Sequence, residues 1–303
     1  MMPKNGVVRN FLPGENWLYY KIYTGPRTSD YILTQIIKPF VSDLIREKII
    51  DKWFFIRYSD PKYHLRIRFY SSKVSNISLI INRLTPLLKD LIGYEQVWKV
   101  QMDTYTRELE RYGVYTIDRS ETLFFHESQM ILSFLAMIDE GEGQELRWLF
   151  ALKVVDNLLS CFNYSLNEKL DLLTRMKSGF AKEHGINRAL KKQLDDKYRL
   201  KRGDIEYFMT LQEEGNHRYK EILELLKIKR EKSELYISKI LEYKEKDRLD
   251  VLLDGLMTSY IHMFMNRLFM SKNRVHEMVC YDFLYRYYSS EVAKEKCERK
   301  VSV

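Results

Sequence analysis

Little in this chain interrupts secondary structure. Its 303 residues hold only 12 glycines and six prolines, which excludes collagen-like and low-complexity classes and favours long helices. Cysteine is scarce as well. Cys161, Cys280 and Cys297 have no CxxC spacing, so neither a disulfide framework nor a cysteine zinc site is indicated, and a reducing compartment fits. No apolar run approaches the roughly 20 residues of a membrane-spanning helix. Met1-Met-Pro-Lys-Asn-Gly6 is followed by no signal-like apolar stretch. The expectation is a soluble, cytoplasmic protein. Also missing are GxGxxG, the phosphate-binding GxxxxGKS/T, GxSxG and HExxH, and the histidines show no metal spacing with Asp, Glu or Cys. Dinucleotide, P-loop, serine-hydrolase and zinc-protease readings therefore have no support, and no cofactor or metal is expected.

What is present describes a globular protein able to bury a full core: 45% apolar and 30% charged residues, with 22 Tyr and 15 Phe. A net charge of +8 favours acidic partners, whether nucleic acid, anionic peptide or carboxylate substrate. The excess is spread along the chain, without zinc finger, RNP motif or basic arm, so direct nucleic-acid binding is not expected.

The N-terminal part reads β-α-β-β-α-β. Strands are expected at 17–23, 53–58, 63–70 and 96–103, with helices at 30–48 (capped by Thr28, Ser29 and Asp30) and 75–92. Pro39 should kink or break the first helix. The usual solution is an antiparallel sheet with both helices on one face, the other face being left for a covering element or a ligand. After residue 118 the sequence is helix-periodic, with Asp118 and Glu121 as a capping pair. Helices are expected at 120–139, 144–162, 165–182, 186–198, 203–213, 217–246, 248–270 and 273–296. The fold class is thus α+β: a sheet-containing half, 15–117, and a helical half, 118–298, together one catalytic unit.

Three stretches carry candidate chemistry. In Tyr63-His-Leu-Arg-Ile-Arg-Phe-Tyr70, strand alternation puts Tyr63, Leu65, Ile67 and Phe69 on one face, and His64, Arg66, Arg68 and Tyr70 on the other. Two guanidiniums beside an imidazole and aromatics are either a solvated strand face or an anion site. In Tyr105-Thr-Arg-Glu-Leu-Glu-Arg-Tyr-Gly113, Glu108 and Arg111 share a face of any helical turn, and Gly113 implies a sharp reversal just after Tyr112. The bland account is a surface ion pair worth little. In Leu256–Phe269, an apolar helix carries one polar stripe, Thr258, His262 and Asn266. That stripe is either a satisfied core histidine or, beside arginines, a titratable group near neutral pH.

Taken in order with Trp17-Leu-Tyr-Tyr-Lys-Ile-Tyr23 and Phe55-Ile-Arg-Tyr-Ser-Asp-Pro-Lys62, these stretches resemble the C-terminal elimination domain of class I lantibiotic dehydratases. The same domain stands alone in thiopeptide-type bacteriocin biosynthesis proteins. The resemblance spans about residues 15 to 290. It implies a lyase that expels glutamate from a glutamylated Ser or Thr of a ribosomal precursor peptide, leaving dehydroalanine or dehydrobutyrine. The implied partners are that peptide and a separate tRNA-dependent glutamylating enzyme; the oligomeric state stays open. The resemblance assigns Arg66, Arg68 and Arg111 to carboxylates and the developing enolate, and His262 to proton transfer. Glu108, Tyr112, His64 and Asn266 are then binding or orienting residues. The chain departs from the family pattern at Val114, where a second glycine is expected. A sister branch performs a formal cycloaddition of dehydroalanines to a pyridine. A non-catalytic peptide-binding subunit is the remaining alternative.

Overall fold

The computed structural model describes residues 6–138, 143–185, 187–212, 215 and 217–301. It is α+β, with antiparallel sheets in the N-terminal half and helices beyond. The strands are β1 (Asn10–Phe11), β2 (Trp17–Thr24), β3 (Lys52–Ser59), β4 (Tyr63–Tyr70), β5 (Val97–Met102) and β6 (Tyr105–Thr106). The helices are α1 (Pro26–Tyr31), α2 (Lys38–Arg46), α3 (Asn76–Gly93), α4 (Leu109–Tyr112), α5 (Ile117–Met137), α6 (Gly143–Cys161), α7 (Leu166–His184), α8 (Arg188–Thr210), α9 (Lys220–Glu245), α10 (Leu253–Leu268) and α11 (Asn273–Val301). Contacts group residues 1–137 and 231–271 into one compact unit, and 138–230 and 272–303 into a second.

In the first unit, four strands pair in the order β3-β4-β2-β5, all antiparallel, and β1 pairs with β6. The register puts Leu18, Tyr20 and Ile22 of β2 beside Phe69, Ile67 and Leu65 of β4. On that face β4 meets the helices; Phe69, for example, lies edge-on to Phe40 of α2 at 5.9 Å. The opposite face carries Tyr19, Lys21 and Tyr23 next to Arg68, Arg66 and His64, with Phe54, Ile56 and Tyr58 of β3 on their other side. β4 is thus a central strand, and its two faces divide as the alternation predicts.

The edge strand β3 is held by side chains from α5 and α10. Ser128 Oγ accepts from the Phe55 N–H at 3.4 Å, and Arg267 Nε donates to the Phe55 carbonyl at 2.8 Å. Arg57 Nε donates in return to the Arg267 carbonyl at 2.8 Å. An edge occupied in this way is closed to further strand pairing there.

Several local expectations are corrected. The first helix opens four residues early, with Pro26 in its first turn, where a missing N–H costs nothing. Ser29 is no cap. It is buried and accepts from Arg57 Nη1 at 2.5 Å. Helical structure passes through Pro39 without a break. A π-helical segment, Ile32–Ile37, precedes it, and Lys38 N–H reaches back to Leu33 O; the wider turn makes room for the proline ring. Asp118 and Glu121 do not cap α5, which starts at Ile117; both turn to Arg107 instead. The helices expected at 186–198 and 203–213 are one, α8, with Gly203 in its interior. One glycine costs a helix of that length only about 1 kcal/mol.

The second unit is helical. Polar anchors cross-link it: Asp156 takes Lys169 at 2.7 Å and the Tyr288 hydroxyl at 2.9 Å, and Arg286 spans Asp282 and Asp195 at 2.6 and 2.5 Å. No helix among the described residues is long and apolar enough to cross a membrane.

Candidate active site

All eight sequence-predicted site residues lie in the first unit. On the sheet face opposite α1–α3, Arg66 and Arg68 occupy different surroundings although they are two residues apart. Arg66 is half-buried. Its guanidinium stacks on Tyr58 at 3.5 Å from the ring centre, and its Nε donates to His64 Nε2 at 3.1 Å. His64 is buried, and its Nδ1 faces the Lys62 carbonyl at 2.8 Å. A nitrogen facing a carbonyl must carry the proton, and a nitrogen accepting from Arg66 must not. The ring is therefore the neutral Nδ1–H tautomer. Burial pulls its pKa below the usual value, Arg66 and Lys21 act in the same direction, and the Lys62 carbonyl opposes them. Lys21, opposite Arg66, is engaged by Asp103, and its hydrogen bond holds that carboxyl below its ordinary range.

Arg68 is buried inside an aromatic cage. Its guanidinium carbon lies 4.4 Å from the Tyr19 ring centre, 4.7 Å from Tyr105 and 5.1 Å from Phe54. Among the described residues, neither Nε nor Nη1 has a hydrogen-bond partner. Cation–π contacts offset part of the cost of burying this charge, but they satisfy no N–H. The cage is braced from behind. The Tyr105 hydroxyl donates to Glu121 Oε1 at 2.9 Å, and Glu121, fully buried, also takes Arg107 Nε at 2.8 Å and Nη2 at 2.7 Å.

The second stretch forms a single helical turn. Glu108 precedes α4, and Arg111 Nε pairs with Glu108 Oε2 at 3.1 Å, both side chains being largely exposed. The turn stops at Gly113, whose φ of 74° and ψ of 151° suit glycine alone. Tyr112 points inward, stacked on Tyr260 at 6.0 Å and edge-on to Phe124 at 5.2 Å. Burial raises its pKa, the charge of Glu108 adds to this, and that of Arg111 opposes it. In the third stretch, His262 and Asn266 are half-buried, and Asn266 Nδ2 meets His262 Nε2 at 3.0 Å.

The structure thus joins Arg66 with His64, Glu108 with Arg111 and Tyr112, and His262 with Asn266. No direct bond links these groups to one another among the described contacts. A chain of rings does connect Arg68 to the second of them: Phe54 touches the Arg68 guanidinium and Phe124, and Phe124 touches Tyr112 and Tyr260. No three His, Cys, Asp or Glu side chains among the described residues gather as a metal-ligand set.

The family model for the C-terminal part of lantibiotic biosynthesis dehydratases matches residues 17–288. The chain belongs to this family. Nisin biosynthesis protein NisB of Lactococcus lactis subsp. lactis is 28% identical over 164 residues, covering 54% of this chain and 16% of NisB. Subtilin biosynthesis protein SpaB of Bacillus subtilis is 27% identical over 172 residues, covering 56% of this chain and 16% of SpaB. The matches therefore span about a sixth of either relative's length. Among solved structures, the tRNA-dependent lantibiotic dehydratase MibB from a Microbispora species superposes with a TM-score of 0.71 at 20% identity, over 92% of this chain and 28% of that one. TsrL gives 0.67 at 12% identity, over 91% and 95%, and the pyridine synthase TbtD from thiomuracin biosynthesis gives 0.60 at 15%, over 92% and 99%. At these identities the likeness is one of fold.

Within this dehydratase C-terminal fold, sequence reasoning missed the cage of Arg68 and the buried Arg267. Tyr19 lies in a visible alternation, Trp17, Tyr19, Lys21 and Tyr23, but its partner across the ladder is set by register, which no local pattern displays. Arg267 stands next to Asn266 in a buried helix, and a charge in such a position is itself a signal.

Proposed function

We propose that this chain eliminates glutamate from glutamylated Ser or Thr of a ribosomal precursor peptide, giving dehydroalanine or dehydrobutyrine. Base removal of the Cα proton leaves an electron pair that forms the Cα=Cβ bond as the Cβ–O bond breaks. The glutamate departs as a carboxylate, and no redox partner is needed. The leaving group gains negative charge in the transition state, and a guanidinium held in a low-dielectric site stabilises it most effectively. The observation that carries the reading is Arg68: a buried guanidinium with Nε and Nη1 open and no carboxylate within ion-pair distance among the described residues.

In this reading Arg66, Arg68 and Arg111 take the two carboxylates of the glutamyl unit and the developing enolate, and His262 moves the proton. Glu108 orients Arg111, His64 orients Arg66, Asn266 orients the His262 ring, and Tyr112 lines the site. The partners are the precursor peptide and a separate glutamylating enzyme, in a cytoplasmic setting. The test is mass spectrometry of a glutamyl-Ser peptide incubated with the purified chain. Loss of the whole glutamate, falling about 100- to 1000-fold in Arg68→Ala, supports elimination. An unchanged peptide rules it out as an activity of the chain alone.

A second reading, formal cycloaddition of two dehydroalanines to a pyridine, draws on the fold likeness to TbtD over 99% of that chain. That reaction expels no carboxylate and leaves Arg68 without a use, which favours elimination. Peptides bearing two dehydroalanines test it. Should Arg68→Ala and His262→Ala both leave function intact, the chain is a peptide-binding subunit.

A further inference from the structure

Arg267 is fully buried, and its guanidinium is only partly used by the protein. Nε donates to the Phe55 carbonyl at 2.8 Å, and Nη1 pairs with Glu127 Oε2 at 2.5 Å. These two bonds complete its structural work, tying α10 to β3 and α5. Nη2 has no hydrogen-bond partner among the described residues. One ring of the Arg68 cage also lines this guanidinium, Phe54 at 5.9 Å, which lies 5.1 Å from Arg68; Phe124, which packs on Tyr112, lies at 4.5 Å. The groups whose charge acts on Arg267 are Glu127, Tyr112 and Arg68. Phe54 thus links Arg267 to Arg68, and Phe124 links it to Tyr112. Glu127 compensates one buried guanidinium of the pair, which leaves one positive charge and three open N–H-bearing nitrogens in an aromatic enclosure. Buried charges are paired, and buried N–H groups find acceptors.

The geometry points to Arg267 as a further substrate-binding residue: together with Arg68 it holds a carboxylate of the glutamyl unit, Arg267 through Nη2 and Arg68 through Nε and Nη1. This rests on the elimination reading, which supplies the carboxylate. A guanidinium can keep a carbonyl, a protein carboxylate and a substrate carboxylate at once from separate nitrogens, because its five donors fan out in one plane. A lysine in its place retains the charge and the bond to Glu127 but loses that fan.

The test labels the arginines of the full chain with nitrogen-15 and titrates it with free glutamate, assigning Nε–H resonances through Arg68→Lys and Arg267→Lys. Arg57, which is buried and bonded to Asp30 and Ser29, is the internal control. The expected result is that the Arg68 and Arg267 resonances both move while that of Arg57 stays. Arg267→Lys should raise KM for the glutamyl peptide and weaken glutamate binding about 10- to 100-fold. If Arg68 moves and Arg267 does not, Nη2 is satisfied by water and the inference falls while elimination stands. A wild-type KM in Arg267→Lys also overturns it. If neither resonance moves and the wild type releases no glutamate, both readings fail. Should Arg267→Lys not fold, the titration of the wild type decides alone.

Discussion

The Nε of Arg66 donates to Nε2 of His64 at 3.1 Å, while Nδ1 of the same ring faces the Lys62 carbonyl. The histidine therefore aims Arg66 only while it is neutral. Its surroundings keep it so: burial first, then the charges of Arg66 and Lys21, against the Lys62 carbonyl and Asp60. Tyr23 and Tyr58 close over the ring at 4.7 and 5.6 Å. The folded-state pKa lies below the unfolded value of 6.5, so as pH falls the unfolded chain takes the proton first. Stability present above that value is lost as the pH drops toward the depressed folded-state pKa. Urea denaturation at about pH 7.5 and about pH 5.5 should show a larger loss for the wild type than for His64→Gln, which does not titrate there. Equal losses would remove His64 as the source.

Gly113 makes the Arg111 turn possible. At its φ of 74° an added Cβ would sit 2.9 Å from Thr116 Oγ1 and 3.4 Å from Asp250 Oδ2. Asp250 is not free to retreat, since its Oδ2 accepts the Val114 N–H at 2.7 Å. Gly113→Ala should cost about 1–3 kcal/mol in denaturant unfolding. The strain falls on the turn that sets Glu108 and Arg111, so KM for the glutamyl peptide should rise more than that of a surface control. A variant as stable as wild type would show that the turn relaxes without loss.

Much of the fold was legible because it rests on local period. The alternation in Tyr63–Tyr70 places its residues on the correct faces, and the turn residues Ser59–Lys62 join the hairpin where they should. Chemistry that depends on register was not legible. Arg66 and Arg68 look equivalent in sequence, yet Lys21 and Ile56 flank one, and Tyr19 and Phe54 flank the other. One therefore stays half-open and the other is caged. Asp118 and Glu121 carry the signature of a helix cap, but Arg107, with its planar fork, outcompetes backbone N–H groups for both carboxylates. That α10, some 150 residues beyond α4, packs against it through Tyr260 and Tyr112 is a tertiary fact that helical periodicity cannot announce.

The three cysteines should differ sharply in reactivity. Cys280 is buried, and burial together with the nearby Glu277 pushes its thiol pKa up, so almost no thiolate forms. Cys297 is exposed, and Cys161 is half-buried on α6. Alkylation of the native protein followed by peptide mapping should find Cys297 modified first and Cys280 modified only after denaturation. Early labelling of Cys280 would mean that α11 opens readily around it.

Arg68 offers a way to separate what the fold needs from what the chemistry needs. A buried guanidinium without a carboxylate partner pays desolvation, and its contacts with Tyr19, Tyr105 and Phe54 return only part of it. A side chain kept for folding would destabilise the protein on removal. One kept for a substrate's charge would not. Methionine matches the length of the arginine stem, suits an aromatic cage and leaves no N–H unmet. Arg68→Met should therefore be as stable as wild type, or up to about 2 kcal/mol more stable, while losing glutamate elimination. Added glutamate should raise the melting temperature of the wild type and not of the variant, because a ligand stabilises only the state it binds. If Arg68→Met instead loses several kcal/mol, the arginine is structural, its open N–H groups are met by solvent, and the anion site must be sought elsewhere on the sheet.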